Sequence, residues 1–157
     1  MPIAMGHPAR TILLLEDDRT ISRLLCLVLR RRGYTVLEAS DSSEAIRTGQ
    51  LHERAVDLLL CDVVLDNETA VPAVAGLRKL CPDARVLFLS GFGLDDLLRD
   101  GLLEPGMMAD GSAFFLQKPF LPDLLLRAVE SVLAGEGVPD AVYWRSEEVA
   151  GSVQDSY

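Results

Sequence analysis

Chemically capable groups stand at the ends of four apolar runs in this chain. Glu16, Asp17 and Asp18 follow the Thr-Ile-Leu-Leu-Leu of residues 11–15, and Asp62 follows the Leu-Leu-Leu-Cys of residues 58–61. Ser90 follows the Val-Leu-Phe-Leu of residues 86–89, and Lys118 follows the Phe-Phe-Leu-Gln of residues 114–117. Crowded carboxylates repel one another and raise each other's pKa. A hard divalent cation relieves that repulsion, and Mg²⁺ prefers oxygen ligands, keeps several waters and bridges carboxylates to phosphate. A lysine pairs with an acid at rest and with a phosphoryl oxygen when one arrives, and a short hydroxyl donates to the same oxygen. These parts suit phosphoryl transfer, where positioning and charge neutralisation do most of the work. A carboxylate can itself be the nucleophile and become an acyl phosphate. Asp62 is the candidate, because it alone leaves a central run with an acid pair on one side and a lysine on the other. Glu16 and Asp17 are then the metal ligands. Taken singly, each residue has a plainer role as turn, cap or exposed charge, and Asp18 reads as a helix cap. The assignment rests on their joint occurrence.

For these groups to meet, the runs must be neighbouring strands of one sheet. Continuous apolar runs suit strands covered on both faces, as in a parallel sheet, and ligands of such sheets bind at the carboxyl ends of the strands. Strands are expected at residues 11–15, 34–38, 55–61, 85–89 and 113–116. Between them, Ile21, Leu24, Leu25, Val28 and Leu29 share one helical face, and Gly33 stands where that helix ends. Asp41 or Ser42 caps a helix running to about His52. Further helices are expected at residues 71–80 and 93–102, and a last one carries Leu121, Leu124, Leu125, Ala128, Val129, Val132 and Leu133. Residues 104–112 read as a loop. Alternation of five strands with five helices makes this an α/β chain with a parallel sheet and helices on both faces. The units are an N-terminal extension (1–10), one domain (11–136) and a C-terminal tail (137–157).

The bulk properties narrow the function. The net charge of -9 argues against direct nucleic-acid binding, since phosphate contacts need Lys and Arg. Arg30-Arg31-Arg32 falls at a helix end, where cations are favoured. Cys26, Cys61 and Cys81 are odd in number and match no zinc spacing. They imply a reducing, intracellular setting. No run is long enough to span a membrane, and the first residues lack a signal-peptide pattern. The expectation is a cytoplasmic protein.

The chain resembles a receiver domain, the phosphoacceptor module of bacterial two-component response regulators. The resemblance runs from about Arg10 to Glu136. It is carried by the Ile-Leu-Leu-Leu-Glu-Asp-Asp of residues 12–18, Asp62 after its strand, the Phe-Leu-Ser-Gly of 88–91 and the Phe-Leu-Gln-Lys-Pro-Phe of 115–120. The wording of the last two most resembles receivers attached to hybrid sensor kinases. The resemblance implies a flavodoxin-like doubly wound sheet in the order 2-1-3-4-5. It implies that Asp62 accepts phosphate from a phosphohistidine on a sensor histidine kinase or a histidine phosphotransfer protein, and that the protein catalyses its own phosphorylation and dephosphorylation rather than acting as a conventional enzyme. Mg²⁺ is then held by Glu16, Asp17, Asp62 and the backbone carbonyl of Val64. Ser90 is the hydroxyl switch, Lys118 the site lysine and Phe115 the aromatic switch, although simple core packing explains Phe115 nearly as well. Pro119 occupies a position that is commonly cis in the family. The output is an unknown downstream protein, since no output domain follows in the sequence, or the tail, where Tyr143-Trp144 reads as an ordinary packed or frayed extension or, alternatively, as a docking element for the domain or a partner.

Three departures from the family pattern stand out. Asp66 and Ala70 replace the usual proline and glycine after the phosphoacceptor. Asp66 adds an acid near the site, and Ala70 disfavours the positive φ open to glycine; both read as tolerated loop changes, the alternative being that Asp66 alters metal affinity or phosphate lifetime. The 104–112 loop is longer than typical connections and borders the face that receivers use for partners or for a homodimer. Met107 and Met108 there read either as adaptable contacts or as a loop tip. The alternative to a phosphorylated receiver is a pseudo-receiver, an interaction module independent of phosphorylation. An aspartate-nucleophile phosphatase of another family needs a second acid where this chain has Val64. A dinucleotide-binding fold needs a third glycine beyond Gly91 and Gly93.

Overall fold

The computed structural model describes residues 9–109, 111 and 113–136. The N-terminal extension up to residue 8 and the tail from residue 137, with Tyr143 and Trp144, lie outside the described residues. Five parallel strands form one sheet in the order β2-β1-β3-β4-β5. They are β1 (Thr11–Leu15), β2 (Thr35–Ala39), β3 (Leu58–Asp62), β4 (Arg85–Ser90) and β5 (Ala113–Gln117). The helices are α1 (Arg19–Arg31), α2 (Ser42–Leu51), α3 (Val71–Leu80), α4 (Leu94–Arg99), the short α5 (Gly106–Ala109) and α6 (Pro122–Leu133).

The apolar runs alternate between two cores because successive strand residues point to opposite faces. Leu13, Leu15, Leu59, Cys61, Val86, Phe88, Ala113 and Phe115 pack toward α2, α3 and α4. Ile12, Leu14, Leu58, Leu60, Leu87, Leu89 and Leu116 pack toward α1 and α6. All residues of β3 are buried, which fits the central strand of a sheet covered on both sides. The three cysteines are free and buried, as small apolar residues. Among the described residues no helix is long and apolar enough to cross a membrane.

Several boundaries differ from the sequence expectation. The third strand begins at Leu58, not at residue 55. Asp57 is instead spent on the neighbouring strand, where its Oδ2 accepts the Thr11 N–H at 2.8 Å. On α1 the buried residues are Ser22, Leu25, Cys26 and Leu29, while Leu24 is 55% exposed. Ser22 is drawn inward by its hydroxyl, which donates to Glu38 Oε1 on β2 at 3.2 Å. Helix α4 stops at Arg99, three residues short of the expected end. Gly101 takes φ +75°, and the N–H groups of Gly101 and Leu102 close back on the carbonyls of Leu98 and Leu97. That is a Schellman termination, which needs a left-handed residue and so favours glycine. Gly33 (φ +98°) ends α1 in the same way. The 104–112 segment contains the helical turn α5, and Met107 packs against the core rather than standing free. The side chain of Met108 lies outside the described residues.

Candidate functional site

The parallel register brings the carboxyl ends of β1, β3, β4 and β5 to one edge, and the polar groups predicted from the sequence gather there. Leu15 pairs with Cys61, so Glu16 and Asp62 follow from adjacent positions on β1 and β3. Asp62 pairs with Leu89, which leaves Ser90 one residue beyond, and Ser90 pairs with Gln117 just before Lys118. The edge is tied by backbone bonds: Glu16 N–H to Ala39 O, Val63 N–H to Leu89 O and Lys118 N–H to Ser90 O, at 3.1, 2.9 and 2.8 Å. The acids are thus carried on rigid strand ends rather than on free loops.

Glu16, Asp17 and Asp62 each offer an oxygen within 4.8 Å of the others, a spacing that can hold one metal ion. Asp62 and Glu16 are 5% and 2% exposed, whereas Asp17 is half-buried. Lys118 Nζ lies 2.7 Å from Asp62 Oδ1 and 3.2 Å from Glu16 Oε2. The lysine therefore serves two acids, not one. Burial raises the Glu16 pKa, the adjoining Asp62 carboxyl raises it further through a hydrogen bond and its charge, and Lys118 lowers it only in part. The result is about 8. For Lys118, burial alone lowers the pKa, but the carboxylates of Asp62 and Glu16 outweigh it and hold the ammonium above its ordinary value. The pocket thus carries more negative charge than one lysine neutralises, so Glu16 keeps a proton near neutral pH despite its contact with Lys118. The three oxygen donors suit a hard divalent cation, which relieves that excess.

The other predicted residues fall as follows. Asp18 caps α1, its Oδ1 accepting the Ile21 N–H at 3.0 Å, and Asp41 caps α2. Ser90 is 4% exposed, and its Oγ accepts the Phe92 N–H at 3.0 Å. Phe115 is 1% exposed and sits in the core beside Phe88, its register partner. The Lys118–Pro119 bond is cis, as expected from the sequence. Val64 forms an antiparallel bridge with Thr69. Cys61, next to Asp62, is wholly buried. Burial first and the Asp62 charge second raise its thiol pKa well above the ordinary range, so it stays neutral and inert.

The loop after Asp62 accommodates both departures from the family pattern. Asp66 is exposed and does not belong to the carboxylate cluster among the described residues. It acts through its backbone instead, donating its N–H to Asp17 Oδ2 at 2.7 Å. Ala70 takes φ −79°, an ordinary right-handed conformation, so the loop needs no glycine there. Leu65 N–H to Glu68 O and Ala70 N–H to Val63 O, both 2.8 Å, close the loop. The sequence reading passed over Glu68, whose Oε1 accepts the Ser42 N–H at the start of α2. A lone exposed acid in a loop gives no signal of such a contact.

The comparisons with known proteins agree with this fold. A family model described as response regulator receiver domain matches residues 12–130. The sensor kinase CckA of Brucella abortus (strain 2308) is 32% identical over 123 residues, 78% of this chain and 12% of that kinase. The crystal structure of the receiver domain from the hybrid histidine kinase CckA is 29% identical, covers 78% of this chain and 98% of that one, and has a TM-score of 0.64. A response regulator from Burkholderia pseudomallei, solved with a phosphorylated aspartic acid, a calcium ion and citrate, is 26% identical. It covers 94% of this chain and 75% of that one, with a TM-score of 0.61. The chain spans only 12–52% of the length of several curated relatives.

Proposed function

The chain belongs to the response regulator receiver family, and on that premise we propose that Asp62 accepts a phosphoryl group from a phosphohistidine of a sensor histidine kinase or histidine phosphotransfer protein. The observation that carries this reading is the buried Asp62 carboxylate, held 2.7 Å from Lys118 Nζ inside a cluster of three acids. An Asp62 oxygen attacks phosphorus, the N–P bond breaks with its electron pair going to the imidazole, and an acyl phosphate remains on Asp62. Lys118 holds Asp62 Oδ1 in place and is at hand for the incoming phosphoryl oxygens. Glu16, Asp17, Asp62 and the Val64 carbonyl are the residues that would hold Mg²⁺, which when bound offsets the charge of the acids and the phosphoryl group. The phosphorylated aspartic acid and calcium ion in the similar Burkholderia protein support this assignment.

Signalling follows from a local change of charge at a two-state element. The Ser90 hydroxyl turns to donate to the phosphoryl oxygen, and the buried Phe115 ring, on the next strand, is the switch residue that responds. The readout is a downstream protein partner, through a face that also suits a homodimer. The pseudo-receiver alternative leaned on Asp66 and Ala70. It loses that support, because Ala70 fits without strain and Asp66 contacts the site through its N–H.

Incubation with acetyl phosphate and Mg²⁺, followed by intact mass, tests the reading. A labile adduct of one phosphoryl group on the wild type, absent from Asp62→Asn, is the expected result. No adduct on a wild type that binds Mg²⁺ supports the pseudo-receiver instead.

A further inference from the structure

Ser90 and Gln117 are register partners at the ends of β4 and β5. Two residues earlier, Phe88 and Phe115 are also partners, and both rings lie in the core toward α3 and α4. Alternation along a strand therefore puts Ser90 and Gln117 on that same face, under the turn that leads into α4. Ser90 Oγ is engaged there as an acceptor, taking the Phe92 N–H at 3.0 Å. Gln117 Oε1 is buried and has no hydrogen-bond partner. It lies against the same turn, since a methyl group built on Gly93 would sit 3.8 Å from it. A buried acceptor with no donor is rare in a folded protein and calls for an explanation.

We propose that Gln117 is a positioning residue for the Ser90 switch: the Phe92–Gly93 turn has two hydrogen-bond seats, Ser90 Oγ at rest and Gln117 Oε1 once the hydroxyl has turned to a phosphoryl group on Asp62. This rests on the phosphoacceptor reading and adds to it the residue that receives what Ser90 releases. When the Ser90 oxygen swings away, the backbone N–H of the turn loses its acceptor. A short shift of the turn onto Gln117 satisfies the freed donor and the orphaned acceptor together. The unsatisfied oxygen thus belongs to the resting state alone, and Gln117 biases the equilibrium toward the turned state. A ligand-driven change requires such a differential contact.

The test uses beryllofluoride with Mg²⁺ as the phosphoryl mimic, and amide hydrogen exchange at Phe92 and Gly93 read by NMR. In the wild type, adduct formation leaves the protection of the Phe92 amide within about twofold of the resting protein, because one acceptor replaces another. Gln117→Met keeps length and packing but offers no comparable acceptor; its adduct exchanges that amide about tenfold faster than its resting form, as the loss of a hydrogen bond does. Gln117→Glu restores an acceptor oxygen and restores the protection. Retained protection in the Gln117→Met adduct, or a loss of protection of about tenfold in the wild-type adduct, overturns the inference while leaving the phosphoacceptor role intact. Failure of the wild type to take up beryllofluoride overturns that role and the inference with it.

Discussion

The backbone N–H of Asp66 donates to Asp17 Oδ2 at 2.7 Å, binding the loop after β3 to an acid that follows β1. A bond from an N–H to a carboxylate is charge-assisted and stronger than a neutral one. It fixes an oxygen that is otherwise free to rotate at a half-buried position. The same loop reaches α2 through Glu68 Oε1 and the Ser42 N–H. One short segment therefore joins the acid cluster to two elements of the fold.

Asp66→Pro deletes that donor, whereas Asp66→Ala keeps it and removes only the carboxylate. The Pro variant is expected to bind Mg²⁺ roughly three- to tenfold more weakly, corresponding to the loss of one hydrogen bond to a charged group in a partly exposed setting. The Ala variant should stay within about twofold of the wild type, a difference too small to reflect a lost direct contact. Calorimetric titration of both variants measures this. Equal affinity for the Pro variant would mean that Asp17 is placed by β1 alone.

Ala70 supplies a second test of the loop. Its φ of −79° and complete burial at the start of α3 give a glycine nothing to relieve. Ala70→Gly should therefore lower stability by about 0.5–1 kcal/mol through the greater freedom of the unfolded chain, with Mg²⁺ affinity unchanged. Urea unfolding distinguishes this from a strained loop, in which the same change would stabilise.

What could be read from the sequence follows from which interactions are local. The strand ends were legible because an apolar run that stops at a carboxylate marks both a buried strand and its exit. The site residues Glu16, Asp62, Ser90 and Lys118 inherit their places from that rule. The inward face of α1 was not legible. Leu24 looks like a core residue by spacing but is exposed, and Ser22 is buried because Glu38 on β2 accepts its hydroxyl. The Asp17–Asp66 contact was hidden for a related reason. Its donor is a backbone N–H, which every residue but proline carries, so the aspartate side chain drew attention to the wrong group. The end of α4 needed the positive φ of Gly101, and a glycine two residues past Arg99 did not by itself distinguish a stop from a tolerated interior residue.

The Glu16 pKa of about 8 sets the pH dependence of metal binding. A cation displaces the proton that Glu16 holds, so Mg²⁺ affinity should rise up to about tenfold per pH unit below that value and level off above it. The same group acts on stability with the opposite sense from a salt-bridged acid. Its folded pKa lies above the ordinary 4.5, so the native state binds more protons than the unfolded state between the two values. Without metal, its contribution to stability is fullest below the unfolded value and declines as pH rises through about 8. Glu16→Gln should remove that decline and weaken Mg²⁺ binding. Urea unfolding from pH 5 to 9, with and without Mg²⁺, measures both effects, and a flat wild-type profile would rule out the raised pKa.

Lys118→Met tests the pair at the centre of the site. The substitution keeps much of the side-chain stem and removes the ammonium that lies against both Asp62 and Glu16. Two buried carboxyls are then left side by side with no cation, and removing one partner of such a pair typically costs about 3–5 kcal/mol. Lys118 is 22% exposed at its side chain, which places the expected loss at the lower end, about 3 kcal/mol for the metal-free protein near pH 8. Its pKa is raised, so in the wild type the pair's contribution holds through the neutral range and is lost only as pH climbs past the ordinary lysine value of 10.5. In the variant the loss should shrink toward pH 5, where the carboxyls take up protons. It should shrink again at pH 8 with Mg²⁺, which supplies the missing positive charge. Urea unfolding at the two pH values, each with and without Mg²⁺, separates these effects. A loss of the same size under all four conditions would mean that the lysine stabilises the edge by packing rather than by charge, and would undercut the electrostatic account of the pocket.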